Sequence, residues 1–537
     1  MSHYSFADLV DFGSVESYER LDFPPPKPLP ATEPEGPIFR LESGLLADLA
    51  RRAFSEIAFF LPAEQLAAFA AVVSDPRASQ AERFVAAQLI RNAAAAAEGL
   101  YPLCQDTGTA VVYGWKGSRM LSDGRDEVAL AEGAARAYQE RRLRNSQLGP
   151  LGFLAERNTG DNLPAMIDLR SSGAAHSGEY RLVFAAKGGG SANRTTFSME
   201  SPALLQAEAL ADRLERGISA LGAGACPPYR LGLVLGGASP DQALYALSLA
   251  TLGLLDRLPT EGSEGGALRD REWEDRLMAL AEKTGVGAQF GGRHLAIDAR
   301  AIRLSRHAAS LSLALGVSCS AHRHARSVLN AEGVFLERLE RDPARFLPAE
   351  EPVLPGARSI DLDLPPEALR SELSSLEAGS FLLLSGTVVT ARDAAHARFK
   401  ALLESGRRLP AYLSNHPVFY AGPTEAAPGR PSGSFGPTTA GRMDGYLDML
   451  MERGASLVSI AKGGRSSQAA AAIGRRGGAY LACIGGAAAL AARDHIVSSE
   501  VIDYADLGME AVRAVRLRDL PAVLAIDARG RDFYARP

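Results

Sequence analysis

Four cysteines stand at positions 104, 226, 319 and 483 of a chain of 537 residues. A disulfide framework belongs to short, Cys-dense secreted chains, and this chain is neither short nor Cys-dense. A zinc site fails on spacing. The first three cysteines are 122 and 93 positions apart (226 − 104 and 319 − 226), with no pair two residues apart. Free Cys is often a buried core residue, and spacing alone favours that reading. The neighbours of three of them argue otherwise.

Cys104 opens Cys104-Gln105-Asp106-Thr107-Gly108-Thr109, which puts an amide and a carboxylate directly before an apolar run. Asp and Gly alone would make this a turn. Lys187-Gly188-Gly189-Gly190-Ser191-Ala192-Asn193 follows another apolar run, and three glycines let backbone N–H groups approach an anion closely. Cys226 stands after Gly222 and Gly224 and before Pro227-Pro228, while Cys319 closes a Gly-rich stretch at 285–320 that includes Arg306 and His307. Two further stretches lack Cys but carry cations: Gly386 to His396 with Arg392, and Gly433 to Asp444 with Thr438, Thr439 and Arg442. Lys462-Gly463-Gly464-Arg465 comes soon after.

Together these parts suit one kind of reaction. Three thiolates can hold three irons of a cubane cluster and leave the fourth without a protein ligand. An open metal position binds a hydroxyl and a carboxylate and acts as a Lewis acid. Removing water beside a carboxylate also needs a base for the C–H proton and cations for the carboxylates, where Arg serves best through its bidentate fork. A cluster used only to carry electrons would ask for four Cys ligands, and three lie in ligand-like loops here.

These segments need a scaffold. Residues 1–36 read as an irregular lead, because Pro24, Pro25, Pro26, Pro28 and Pro30 exclude regular helix. Ser43 is placed to cap a helix with Leu45, Leu46, Leu49 and Ala53 on one face, and a second helix runs from Gln80 to Glu98 and stops at Gly99. Strands are expected at Thr109–Tyr113, Arg181–Ala185 and Leu231–Leu235, with an apolar helix at Asp241–Leu258. Residues 346–366 hold five prolines and little periodicity, the pattern of a linker. Beyond it, strands at Phe381–Val389, Val418–Ala421, Ser456–Ala461, Ala479–Ile484 and Ala522–Ile526 alternate with helices starting at Asp393, Thr439 and Ser466. That alternation predicts a mainly parallel α/β sheet.

The composition is globular, 46% hydrophobic and 23% charged, and the length allows two or more domains. A formal charge of −5 leaves no electrostatic footprint for nucleic acid or an anionic membrane, so an anionic substrate must be drawn by a local cluster of cations. Met1–Val10 lacks the basic flank and apolar core of a signal peptide, and Ala479–Ala492, read as the longest apolar stretch, is too short to span a bilayer. The chain reads as soluble and cytoplasmic.

The strings CQDTGTA at 104, NTGDNLPA at 158, AAKGGGSAN at 185, ACPPYRLG at 225, GAQFGGR at 287 and GVSCSA at 316 resemble the class I, iron–sulphur fumarases. So do ARDAAHAR at 391, SGSFGPTTAGRMD at 432, AKGGRSSQ at 461, GMEAVR at 508 and DFYAR at 532, in family order over essentially the whole chain. The resemblance implies an N-terminal cluster-binding α/β domain at 37–345 and a C-terminal swivelling-type β/β/α domain at 367–537. The active site would lie between them, in a homodimer. It implies a [4Fe-4S] cluster on Cys104, Cys226 and Cys319, and a substrate site formed by Gln105, Arg144, Gly190, Arg392, Thr439, Arg442 and Lys462. Asp106 and Thr438 stand where the family has its proton-transfer pair, and His307 where it has an active-site His.

Arg144 owes its place to the resemblance alone, since beside Arg141 and Arg142 its spacing is that of a solvated helix face. Cys483 falls where the family has Ser and reads as a buried thiol; His396, one turn after Arg392, reads equally as packing. The chain departs from the family at His322-Arg323, where Asp-Arg is usual, and at 307–312, where HGASCP becomes His307-Ala308-Ala309-Ser310-Leu311-Ser312.

The implied activity is the reversible loss of water from (S)-malate to fumarate. Cations hold the carboxylates of this small dicarboxylate, Thr438 takes the C3 proton, and Asp106 helps protonate the departing hydroxide. L-Tartrate and mesaconate are the alternative substrates, because a methyl or hydroxyl difference turns on few contacts. Two domains in one chain favour fumarate. A cluster-dependent RNA-binding or iron-sensing protein is the alternative of another class, and the lack of a basic stripe speaks against it.

Overall fold

A computed structural model describes residues 9–29, 37–262 and 266–535. It is a mixed α/β protein, and among these residues the strands assemble into three larger sheets. The first is six-stranded, in the order Tyr18–Arg20, Gly333–Glu337, His324–Asn330, Tyr180–Lys187, Thr109–Lys116 and Met166–Ser171. Thr109 pairs with Lys187, and His324 pairs with Ala185. The loop of Cys104, the Gly188–Gly190 turn and Arg323 therefore leave this sheet at one end.

The second sheet centres on Tyr229–Gly237, buried along its whole length between Leu311–Ser318 and Ala296–Arg306. Arg230 pairs antiparallel with Ser318, so Cys226 and Cys319 emerge side by side at the same edge. The Ser320 N–H donates to the Cys226 carbonyl at 3.0 Å and ties the two loops together.

The third sheet has seven strands, and Arg358–Asp361, Phe381–Thr390, Val418–Phe419, Val458–Ala461 and Ala479–Cys483 run parallel as the alternation predicts. Val512–Ile526, of which only 522–526 was expected, runs antiparallel to Phe381–Thr390, to Ala479–Cys483 and to Ile496–Asp503. One long strand thus pairs at both sides and bends the sheet toward closure. Carboxyl ends of parallel strands are where open α/β sheets place ligands, and Arg392 and Lys462 stand just beyond two such ends.

Several expectations are corrected. Within the lead, Tyr18–Arg20 joins the first sheet and Lys27–Leu29 pairs with Ile38–Arg40, because Pro28 sits in a short edge strand; residues 1–8 and 30–36, Pro30 included, lie outside the described residues. The segment 346–366 contributes the strand Arg358–Asp361. The helix expected at Asp241–Leu258 is Pro240–Thr251, and Ala421 belongs to a separate hairpin of Ala421–Pro423 with Phe435–Pro437. The N-cap of Leu45–Phe59 is Gly44 rather than Ser43.

Leu45–Ser74, rather than Ala479–Ala492, is the stretch most like a membrane span by length and composition. It is broken into helices Leu45–Phe59 and Ala63–Ser74, which bury Leu49, Phe54, Ile57, Leu66 and Phe69 in the core. Helix Gln80–Ala97 starts at a capping box of Ser79 and Glu82, a feature that stabilises a helix by about 1 kcal/mol. Its Leu89 and Ile90 belong to the same continuous apolar cluster as Leu382, Ile460 and Leu481 of the third sheet. Asn92 on this helix donates to the Leu103 carbonyl at 2.9 Å and accepts from the N–H groups of Ala489 and Leu490 at 2.9 and 3.0 Å. That side chain fixes the approach to Cys104 against the C-terminal half.

Candidate active site

The three cysteines of the Gly-rich loops converge, and all are free thiols; Cys104 and Cys226 are buried and Cys319 is half-buried. Burial pushes the Cys104 thiol up to about 12, opposed by Arg323. Burial also raises Cys226, opposed by Lys462, whose Nζ lies 2.8 Å from its sulphur. Thiols in such a place become thiolates only when positive charge joins them. Cys226 itself has φ 62, a left-handed conformation unusual for a residue with a side chain. A Cβ at Gly485 would lie 2.4 Å from Cys226 Sγ, and one at Gly486 would lie 2.4 Å from Ser320 Oγ. Only glycine leaves that side of the sulphur open. Among the described residues, no three His, Cys, Asp or Glu side chains close on a single-ion site.

Beside the thiols lies a polar cavity lined from both halves of the chain. Gln105, Asp106, Arg144 and Gly190 come from the N-terminal half; Arg392, Thr438, Thr439, Arg442 and Lys462 come from the C-terminal half. Gln105 donates to the Pro437 carbonyl at 3.0 Å, and its Oε1 lies 3.4 Å from Cys104 Sγ. A Cβ at Gly436 would meet that Oε1 at 2.2 Å, so the close crossing of the halves depends on glycine there. Asp106 Oδ2 accepts the Gly189 N–H at 2.8 Å. Burial works to raise its pKa, but Arg144, Arg323, Lys462 and that N–H together hold it below the ordinary carboxylate value.

Arg442 forms a fork on Asp393, with Nε 3.0 Å from Oδ1 and Nη2 2.8 Å from Oδ2, while its Nη1 donates to Thr438 Oγ1 at 3.2 Å. Burial draws Arg392 down to about 10; the charge of Arg144 adds to the fall and Glu510 opposes it. Burial also works against the charge of Lys462, yet Cys226 and Cys104 outweigh it and raise the Lys462 pKa. The cavity therefore presents a clustered cationic wall, an ionised carboxylate and a hydroxyl held by a guanidinium. Such a set can orient a small dianion and move a proton at its edge.

Of the remaining expected residues, Thr439 lines the cavity and His307 does not. Thr439 Oγ1 donates to the Gly224 carbonyl at 2.9 Å, so its hydrogen faces the backbone and only its lone pairs remain. His307 is exposed in the turn between Ala296–Arg306 and Leu311–Ser318 and does not line this cavity. Ala296–Arg306 runs parallel and Leu311–Ser318 antiparallel to the Tyr229–Gly237 strand between them, so their connection lies at the pole opposite Cys319. The eight residues of Leu311–Ser318 separate His307 from Cys319 by about 25 Å at the usual rise per residue.

Other residues were not foreseen. Glu510 pairs with Arg144 and Arg392, Asp393 holds Arg442, Asn193 lines the cavity, and Arg323 is buried beside Cys104 and Asp106. Glu510 lies inside the string at 508, and Asp393 directly follows Arg392, so both were within reach. His396 Nδ1 donates to the Arg392 carbonyl at 2.9 Å and packs against Phe399 and Tyr420. Cys483 is buried in the strand Ala479–Cys483.

Residues 47–328 match the family described as Fumarate hydratase (Fumerase), and residues 333–537 match Fumarase C-terminus. The chain is 43% identical over 500 residues to "Fumarate hydratase class I, anaerobic" of Escherichia coli (strain K12), covering 93% of this chain and 91% of that one. It is 44% identical over 501 residues to "Fumarate hydratase class I, aerobic" of the same strain, covering 93% and 91%. It is 43% identical over 494 residues to "Fumarate hydratase 2" of Leishmania major, covering 91% and 86%.

Proposed function

The chain belongs to the class I fumarate hydratase family, and on that premise we propose that it is the hydro-lyase that interconverts (S)-malate with fumarate and water. The observation that carries the residue roles is the single cavity in which Asp106 and Thr438 sit among Arg144, Arg392, Arg442 and Lys462.

Cys104, Cys226 and Cys319 would hold a [4Fe-4S] cluster, in keeping with the open side that Gly485 and Gly486 leave. Such a cluster supplies Lewis acidity at its iron without a protein ligand. The rest of the chemistry belongs to side chains. Arg144, Arg392, Arg442 and Lys462 bind the two carboxylates and turn the reacting carbons toward Thr438. In hydration, Asp106 starts ionised and accepts a proton from water, while Thr438 Oγ1 delivers its proton to C3. The donor from Arg442 lowers the cost of the alkoxide that Thr438 becomes. Passage of the proton from Asp106 to Thr438 restores both groups. In dehydration each transfer runs backwards, so Thr438 takes the C3 proton and Asp106 helps protonate the departing hydroxide.

The two halves are read as a cluster-binding domain and a swivelling-type β/β/α domain, in a homodimer working in the cytoplasm. The direct test is anaerobic reconstitution with iron and sulphide, then ultraviolet absorbance of the substrate double bond with fumarate, mesaconate and L-tartrate in turn. Fumarate turnover that vanishes in Cys319→Ser is expected. Turnover of another acid alone would replace the substrate, and a loaded but inactive protein would defeat the enzyme reading.

A further inference from the structure

The two arginines that meet in the cavity are held by a third residue. Glu510 Oε1 accepts from Arg144 Nη2 at 3.2 Å and lies 3.3 Å from Arg392 Nη2, so one carboxylate oxygen serves guanidiniums from opposite halves. Its Oε2 accepts the Ala394 N–H at 3.3 Å, in the first turn of the helix that follows Arg392. Glu510 ends the turn Ala505–Glu510, where Gly508 has φ 59 and ψ −114 and reverses the chain just ahead of it. A Cβ at Gly508 would meet nothing within 4 Å among the described residues, so the positive φ is what asks for glycine.

Arg144 and Arg392 expose only 12% and 6% of their side chains, where two like charges repel with little help from water. Without a shared anion they would part or lose charge. Glu510 removes that repulsion while engaging one nitrogen of each guanidinium, and Arg392 Nε is left buried with no hydrogen-bond partner among the described residues. Each arginine keeps donors for a ligand.

Building on the dicarboxylate reading above, we propose that Glu510 is a positioning residue. It fixes Arg144 and Arg392 as one carboxylate-binding fork assembled from both halves of the chain. It thereby sets affinity for one end of the substrate rather than the rate of proton transfer.

The test compares reconstituted wild-type holoenzyme with Glu510→Gln and Glu510→Asp. The readouts are KM and kcat for fumarate, Kd for the non-reacting dicarboxylate succinate, and the thermal midpoint. Glu510→Gln keeps the shape and loses the charge. It is expected to raise KM and Kd by about tenfold, with kcat within about threefold of wild type. Glu510→Asp, one methylene short of spanning both arginines, is expected to fall between. A lowered midpoint with unchanged KM and Kd would make Glu510 a structural tie and overturn the proposal. A fall in KM and Kd would make it a rival for the substrate's seat, which overturns it equally. A wild type that hydrates no fumarate would defeat the functional reading, while the ratio of succinate Kd values still decides the role of Glu510.

Discussion

Arg442 Nη1 donates to Thr438 Oγ1 at 3.2 Å, one turn away in sequence, while the other face of the same guanidinium grips Asp393. The cation is thus anchored by a carboxylate and aimed at a hydroxyl. An alkoxide formed there is met by a donor already in place.

Thr438→Ala is therefore expected to lower kcat by about 10²–10⁴-fold while changing KM little, because proton transfer is made only in the transition state. Thr438→Ser should keep most of the rate. Steady-state kinetics on both variants checks this, and a loss confined to KM would remove Thr438 from the chemistry.

Asp106 gives a pH prediction. Its pKa is held below the ordinary 3.8, so it stays ionised as pH falls through the neutral and mildly acid range. No acid limb of activity should arise from it above about pH 4. Asp106→Asn is expected to lower kcat at every pH without moving the limbs of the profile. An inflection at about pH 5–7 that disappears in Asp106→Asn would contradict the assignment.

His396 links stability to pH. Burial keeps its folded pKa at about 4, below the ordinary 6.5. Below 6.5 the unfolded chain binds a proton that the folded chain refuses, so this residue makes stability fall as pH drops from 6.5 toward 4. His396→Gln, which can still donate to the Arg392 carbonyl, should flatten that fall in urea midpoints measured between about pH 7.5 and 5. An identical slope in the variant would show that other groups carry it.

The cysteines separate by role. Cys104→Ser, Cys226→Ser and Cys319→Ser should each fail to retain iron and sulphide after anaerobic reconstitution, because each removes a thiolate from the converging loops. Cys483→Ala should load like the wild type and lose at most about 2 kcal/mol of stability, as expected for trimming a small buried side chain. Metal and sulphide analysis reads this without any activity assay.

Local pattern was enough for much of the chain. The helix Gln80–Ala97, the strand start at Thr109 and the parallel strands Phe381–Thr390 and Val458–Ala461 follow from periodicity, caps and Gly or Pro breaks. Those signals act between residues a few positions apart. The strings Cys104-Gln105-Asp106 and Thr438-Thr439 stood out for the same reason, while the roles expected of them came from the family resemblance. These residue types are poor choices for folding alone and sit side by side in the chain.

What the sequence could not state was which distant residue answers which. Glu510 meets Arg144 across 366 positions, and Lys462 meets Cys226 across 236. Neither pair leaves a local trace. The register Arg230↔Ser318 sets Cys319 at the opposite end of its strand from the turn that holds His307, a separation that no local signal carries. Local spacing set many of the elements, and the residue types beside the cysteines set the kinds of chemistry on offer. Strand register and the shared core, both products of long-range packing, decided which side chains face one cavity.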